Sequence, residues 1–136
     1  RARQAAKAGG GAATDPAALA ERAGQVDGAT VLTEVVEASD AKALLDLADR
    51  VKGRLGGDAA IVLGTAVEGR VHLVASVAPA LVERGVKAGA IVKEAAQVTG
   101  GGGGGRDTMA QAGGRDPEKL ADAIAAARRA IEAALG

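Results

Sequence analysis

Residues 59–77 read AAIVLGTAVEGRVHLVASV and predict the unit around which the other elements are arranged. Two apolar runs, 59–67 and 70–77, flank the residues Glu68 and Gly69. A two-residue connection with glycine in second place is typical of a tight β-hairpin. The stretch therefore predicts two neighbouring antiparallel strands.

The segments on either side of this hairpin predict further strands and amphipathic helices. Before it, the β-branched run 31–36 predicts a strand, and apolar residues three and four apart predict a helix over 40–55. After it come a helical turn at 79–84, a helix at 88–98, a strand at 106–112 and a helix at 117–135. This order predicts an α/β (α+β) fold, with a four-stranded mixed sheet and covering helices on one face.

The beginning of the chain is predicted to differ from the rest. Residues 1–13 are polar or very small and include three glycines, which predicts a linker or the frayed end of a helix. Asp15 and Pro16 are typical of a helix start, but the residues that follow carry only a weak apolar stripe. The sequence therefore predicts a linker and the end of a helical connector at 1–28, followed by a globular glycine-motif domain at 29–136.

Composition narrows the classes of function. The 136 residues include 35 Ala and 21 Gly but no Cys, Phe, Tyr or Trp. These absences exclude disulfides, thiolate chemistry and the aromatic stacking platforms of single-strand binders. The 17 basic and 17 acidic residues leave no net charge that would attract nucleic acid or lipid. No apolar run is long enough to span a membrane, and the start without an initiator Met predicts a piece of a longer protein.

The run of six glycines at 100–105 is the most unusual feature of the sequence. Glycine loses more conformational freedom on folding than any other residue, so an ordered run needs a compensating advantage. A flexible linker here would detach the amphipathic segments that follow, whereas an ordered loop would expose backbone N–H groups to phosphate or sugar oxygens. We therefore predict an ordered loop. No Gly-Lys-Ser/Thr follows, so the run is not a P-loop and nucleotide hydrolysis is not expected.

Basic residues near the glycine run are candidate phosphate contacts. Arg106 follows the run, and Arg115 follows the pair Gly113-Gly114. Arginine can bind a phosphate through two parallel hydrogen bonds. Spacing alone favours the alternative, in which each arginine pairs with the aspartate that follows it as solvated surface charge. Lys87 and Lys93, at the start of the preceding helix, could reach the same loop.

No catalytic constellation is found. His72 alternates with Val71 and Leu73, so it faces solvent or a helix, and it has no evident carboxylate or nucleophile partner. Glu34 and Glu37 fall on opposite strand faces, which makes them a poor pair of acid and base. The fragment is therefore predicted to be non-catalytic and to lack a metal site.

Residues 87–117 read KAGAIVKEAAQVTGGGGGGRDTMAQAGGRDP. This order of helix, glycine run, arginine, short spacer, Met-Ala-Gln, glycine pair and Asp-Pro resembles the C-terminal domain of alanyl-tRNA synthetases. The same domain type is associated with DHH-family phosphodiesterases, which usually have a His after the glycines and lack Met-Ala-Gln. Arg106, Met109 and Gln111 therefore favour the synthetase branch. Asp107 and Thr108 stand where the synthetases often have Pro-Asp, a small departure.

The resemblance implies a non-catalytic domain that binds the tRNA elbow, where the D- and T-loops meet, and helps to couple aminoacylation with editing. Its expected partners are the elbow of tRNA(Ala) and the other domains of the same synthetase, and its helices could also pair in a homodimer. The parent, an alanine–tRNA ligase, would be cytoplasmic. It would use ATP, Mg²⁺ and an editing-domain Zn²⁺, and no cofactor is expected in this fragment. The implied tRNA-binding residues are Gly101, Gly102, Gly103, Gly104, Gly105, Arg106, Gln111, Gly113, Gly114, Arg115, Lys87 and Lys93.

Two alternatives stay open at this point. The chain could be an oligomerisation module of the synthetase, with its Ala-rich first helix or its last helix as the interface. It could also be the substrate-binding domain of a DHH-type phosphodiesterase, which would require a DHH catalytic domain upstream. Recognition of a folded tRNA corner by shape and backbone needs no aromatic stacking, so the composition is compatible with the tRNA-binding hypothesis.

Overall fold

The computed structural model describes residues 16–26 and 28–135, and the predictions for residues 1–15 lie outside the described residues. In chain order the elements are α1 (Pro16–Glu21), β1 (Gly24–Val26), β2 (Ala29–Val35), α2 (Ala41–Leu55), β3 (Ala59–Val67), β4 (Arg70–Val77), α3 (Pro79–Glu83), α4 (Ala88–Val98), β5 (Gly102–Gly105), β6 (Met109–Gly114) and α5 (Leu120–Leu135). A short 3-10 helix, Pro117–Lys119, leads into α5.

The strands of the described chain form one six-stranded sheet in the order β1-β2-β3-β4-β6-β5. β2 and β3 are parallel, and all other neighbouring strands are antiparallel. The mixed α/β class is confirmed, but the prediction of four strands is wrong, because β1 and β5 join the sheet. β1 has only three residues and β5 consists of four glycines, so neither shows the apolar alternation that identifies a strand in a sequence.

The predicted central hairpin and the predicted helix before it are confirmed. Val67 and Arg70 face each other across the turn between β3 and β4. Glu68 and Gly69 both have positive φ, 53° and 80°, as a type I′ turn requires. The predicted helix before the hairpin is α2, where the side chain of Asp40 accepts a hydrogen bond of 2.8 Å from a backbone N–H of the first turn.

Helices cover both faces of the sheet, so the prediction of cover on one face is wrong. α1 and α2 pack on one face, and α3, α4 and α5 pack on the other. β3 shows the reason, because residues 59–65 are buried at every position. A strand covered on both faces is apolar throughout and has no alternation from which a solvent-facing side could be recognised.

Residues 16–26, which the sequence assigned to the connector, are packed on the domain. Leu19 of α1 is fully buried in the core under α2. β1 pairs with β2, and an ion pair of 3.0 Å joins Arg22 to Glu34 on β2. The folded unit therefore begins before residue 29.

Leu19→Ala should lower the free energy of unfolding by about 2–4 kcal/mol, because it removes a fully buried side chain from the core under α2. Urea unfolding followed by far-UV circular dichroism measures the difference. Val35→Ala is the control, since Val35 is 41% exposed and its truncation should cost less than about 1 kcal/mol. Unchanged stability of the Leu19 variant would show that α1 does not contribute to the folded unit.

Candidate functional site

The glycine run is ordered, but it forms a strand and not the loop that the sequence predicted. Gly102–Gly105 make up β5, an edge strand of the sheet, which pairs antiparallel with β6. Residues 106–108 connect the two strands, so β6 begins at Met109 and not at residue 106 as predicted. The N–H of Arg106 donates to the carbonyl of Met109 at 2.9 Å and closes the hairpin. Glycine has no side chain whose alternation could have revealed this strand.

The first two glycines of the run end helix α4. Gly100 has a φ of 74°, in the left-handed region, and its N–H donates to the carbonyl of Gln97 at 3.2 Å. The N–H of Gly101 donates to the carbonyl of Ala96 at 2.9 Å. A left-handed glycine after the last turn is a common way for a helix to end, so the fold itself explains this part of the run.

The remaining glycines alternate between two environments. A Cβ added at Gly103 would collide with the backbone of Ala112 in β6, and one at Gly105 would lie 2.9 Å from the Cα of Ala110. Gly102 and Gly104 differ, because an added Cβ would meet nothing within 4 Å and neither residue has positive φ. Glycine within a strand is destabilising by about 0.5–1 kcal/mol relative to alanine. Packing gives no reason for glycine at 102 and 104, which favours a ligand that approaches the bare backbone.

The open side of these two glycines belongs to the face of the sheet on which α1 and α2 pack. Gly102 stands opposite Gly113 and Gly104 opposite Gln111, so their open sides share a face with Met109. Met109 packs against the core under α2, but α2 lies over β3 and β4. Within the described chain, β5 and its neighbour β6 are left largely uncovered on this face, and Gln111 is exposed. We call Gly102, Gly104 and Gly113 the glycine platform, a flat area of peptide groups bordered by Gln111.

The outer edge of β5 is also open. In an antiparallel ladder, residues that exchange hydrogen bonds with the neighbouring strand alternate with residues that do not. The hydrogen bond between Arg106 and Met109 fixes this alternation, so the N–H and C=O groups of Gly102 and Gly104 bond to β6. Those of Gly103 and Gly105 point away from β6. The prediction of exposed backbone groups therefore applies to alternate residues of the run.

Helix α4 covers the opposite face of β5 and β6 at close range. A Cβ added at Gly89 would lie 3.1 Å from the carbonyl oxygen of Gly105. A Cβ added at Gly114 would collide with the hydroxyl of Thr99, a buried residue that directly follows α4. Gly114, one of the residues implied as a tRNA contact, thus packs against the chain itself on the face away from the glycine platform.

Arg106 and Arg115 lie at opposite ends of the hairpin formed by β5 and β6. Arg106 is in the connecting turn and Arg115 follows β6, and six residues of strand separate the two ends by about 20 Å. Both arginines are exposed. Ion pairs of the described residues include Arg22–Glu34 and Arg128–Glu132, but the predicted pairing of Arg106 and Arg115 with neighbouring aspartates is not observed there.

The two candidate lysines belong to α4 and its start. Lys87 immediately precedes α4, and the N–H of Ala88 donates to the carbonyl of Asp107 at 2.8 Å, which places Lys87 near the hairpin turn. Lys93 is four residues after Gly89 and therefore lies on the side of α4 that approaches β5. Both lysines are exposed, so their charges are available beside β5 on the α4 side.

Sequence reasoning did not select two side chains of β4 that border the glycine platform. His72 stands opposite Gly113 and is half-buried, and Arg70, two residues earlier, projects from the same face. Alternation within β4 places both on one face. It cannot place them beside the glycines, because that requires knowing that β6 is the neighbour of β4.

The charged side chains in the described part of the chain do not gather into a metal site. Across residues 16–26 and 28–135, no group of three His, Cys, Asp or Glu residues could hold a metal ion. None of the helices described is long and apolar enough to cross a membrane. The glycine platform and the basic residues around it remain the feature that suggests contact with a ligand.

Proteins with similar sequences include alanine–tRNA ligases. The chain is 43% identical over 117 residues to the alanine–tRNA ligase of Bacillus pumilus, and the match covers 86% of this chain and 13% of that protein. It is 47% identical over 117 residues to the alanine–tRNA ligase of Pelotomaculum thermopropionicum, with the same coverage of 86% and 13%. The chain therefore corresponds to a small part of these relatives.

A solved structure and a family model agree with this similarity. The crystal structure of the C-Ala domain from Aquifex aeolicus alanyl-tRNA synthetase matches with a TM-score of 0.72 and 25% identity, over 82% of this chain and 98% of that one. A DHH-domain protein from a family of ribosomal proteins shares the fold at a TM-score of 0.57 and 16% identity, over 85% of this chain and 29% of that one. The model of the DHHA1 domain matches residues 28–133. The chain therefore belongs to the DHHA1 domain family and is similar to the C-terminal domain of alanyl-tRNA synthetases.

Proposed function

We propose that this chain is the tRNA-binding domain of an alanyl-tRNA synthetase and that it contacts the tRNA elbow through the glycine platform. In the same proposal the parent protein is an alanine–tRNA ligase, and the domain helps its aminoacylation and editing sites to share one tRNA. ATP, Mg²⁺ and the editing Zn²⁺ would be bound by other domains. The similarity to alanine–tRNA ligases over 86% of the chain supports this assignment.

The observation that carries the proposal is the absence of any packing reason for Gly102 and Gly104. Any side chain there would project from an otherwise flat surface, so glycine keeps the surface open to a rigid, flat object. The outer corner of a folded tRNA presents riboses, phosphates and the face of a terminal base pair rather than splayed bases. Such a target is recognised by shape and backbone and needs no aromatic side chain.

The charges near the glycine platform suit a weak, auxiliary contact. Arg106 and Arg115 lie at the two ends of the β5–β6 hairpin, and Lys87 and Lys93 lie beside β5 on the α4 side, whereas the chain as a whole has no net charge. Neutralising about three or four phosphates predicts a slope of about −2 to −4 for log K against log salt concentration. A domain of this kind gains effective affinity when it is tethered to a larger tRNA-binding protein.

Titration of the 136-residue chain with a tRNA(Ala) transcript tests the proposal. We expect the chain to bind the full tRNA but not an acceptor-stem minihelix, because the minihelix has no D arm and therefore no elbow. Arg106→Ala should weaken binding and reduce the salt slope by about 1, since it removes one phosphate contact. Arg129→Ala, an exposed arginine of α5 away from β5, is the control and should change neither quantity. Equal affinity for tRNA and minihelix would refute the assignment to the elbow.

A further inference from the structure

β4 places two functional groups next to the glycine platform. Within the sheet, His72 is the cross-strand neighbour of Gly113, which in turn faces Gly102. The three residues form one row across β4, β6 and β5, with two glycines and a single side chain. Strand spacing of about 4.8 Å puts the imidazole at the margin of the bare surface.

His72 is the only residue of the sequence with a ring that can hydrogen-bond, since the chain has one His and no Phe, Tyr or Trp. It is half-buried, and its other cross-strand neighbour is Thr65, which is 2% exposed. The hydroxyl of Thr65 already accepts a hydrogen bond of 3.3 Å from the N–H of Ala38. The imidazole has no hydrogen-bond partner among the described residues, so its ring nitrogens are available to a group that lies on the glycine platform.

Arg70 lies at the same end of the sheet as Arg115. Val71 pairs with Gly114, so Arg70, the first residue of β4, and Arg115, the residue after β6, lie at adjacent strand ends. Two arginine side chains at adjacent strand ends can bind one anion between them. Neither arginine takes part in an ion pair within the described part of the chain, and both are exposed. The pair therefore suits one phosphate group at this end of the platform.

We propose that β4 forms part of the RNA-contact surface, a role that rests on the proposed tRNA binding and extends it beyond the glycine motif. The imidazole of His72 hydrogen-bonds a ribose hydroxyl or base edge of the nucleotide on the glycine platform. Arg70, together with Arg115, binds a phosphate at the end of the platform opposite Arg106. In this proposal His72 recognises a polar group of the bound nucleotide, and Arg70 positions the RNA backbone through a phosphate.

Four variants in the 136-residue chain test this role, with tRNA(Ala) as the probe. His72→Ala should weaken binding about fivefold to tenfold with no change in the salt slope, because it removes a hydrogen bond rather than a phosphate contact. His72→Gln should recover at least half of the lost affinity, since its amide can bond the same group. Arg70→Ala should weaken binding about threefold to tenfold and reduce the salt slope by about 1. Arg129→Ala again serves as the charge-matched control, and urea unfolding of each variant separates lost contacts from lost stability.

The outcomes distinguish this proposal from the one on which it rests. If the unaltered chain does not bind tRNA, both proposals are wrong. If it binds tRNA and Gly104→Val weakens that binding, while His72→Ala and Arg70→Ala bind as tightly as the unaltered chain, the platform is used without β4 and only the present inference is wrong. If the His72 and Arg70 variants lose tRNA affinity only in proportion to a loss in their free energy of unfolding, the present inference is also wrong.

Discussion

Gly104→Val should lower the affinity for tRNA by at least about tenfold without destabilising the domain. The new side chain would stand in the middle of the glycine platform, where it would hold a flat ligand away from the backbone. Its own chain would not be disturbed, since an added Cβ at Gly104 meets nothing within 4 Å. Because a strand glycine is replaced, the free energy of unfolding should rise by about 0.5–1 kcal/mol. Fluorescence anisotropy with labelled tRNA(Ala) and urea unfolding measure the two quantities.

Gly53→Ala is the matched control for this experiment. Gly53 is an exposed glycine of α2 whose added Cβ also meets nothing within 4 Å. Its substitution should stabilise the helix by about 0.5–1 kcal/mol and leave tRNA binding unchanged. If Gly104→Val binds tRNA as tightly as the Gly53 variant does, the glycine platform is not the contact surface.

Gly114→Ala should lower the free energy of unfolding by about 2–4 kcal/mol. The added methyl group would collide with the Thr99 side chain, and Thr99 cannot easily move. Its hydroxyl donates to the carbonyl of Ala96 at 2.9 Å, and its own carbonyl accepts bonds from the N–H groups of Arg115 and Asp116 at 2.8 and 3.0 Å. Shifting Thr99 would therefore disturb the end of α4 and the exit of β6 together.

Gly102→Ala provides the comparison within the same hairpin. Gly102 has open space where Gly114 has Thr99, so its substitution should not reduce the free energy of unfolding. Thermal and urea unfolding of the two variants, followed by far-UV circular dichroism, give the difference directly. Equal losses in both variants would mean that the hairpin tolerates no side chain at either position, and that glycine at 102 is needed by the fold.

The elements with side-chain patterns could be predicted from the sequence. The hairpin of β3 and β4 was marked by Glu68 and Gly69, and α2 by Asp40 and by apolar residues three and four apart. β5 could not be predicted, because a strand of glycines has no apolar alternation. The second layer of helices was missed for a related reason, since β3 is apolar on both faces and does not reveal which face is covered.

The candidate site was only partly accessible to sequence reasoning. The glycine run and its flanking residues Arg106 and Gln111 indicated the region, but all the glycines had to be treated alike. The distinction between Gly104, which is open, and Gly114, which packs on Thr99, depends on contacts that only the folded chain makes. The position of His72 beside the platform could not be predicted either, because it follows from the pairing of β4 with β6.

The unpaired outer edge of β5 affects how readily two molecules of this domain associate. A free strand edge invites edge-to-edge association between molecules, and proteins usually block it with charges, bulges or proline. Here the edge offers the N–H and C=O groups of Gly103 but no apolar side chain for an incoming strand to bury. Association would gain only backbone hydrogen bonds and would bury no apolar side chain. The absence of side chains on this strand therefore also limits edge-to-edge association between molecules.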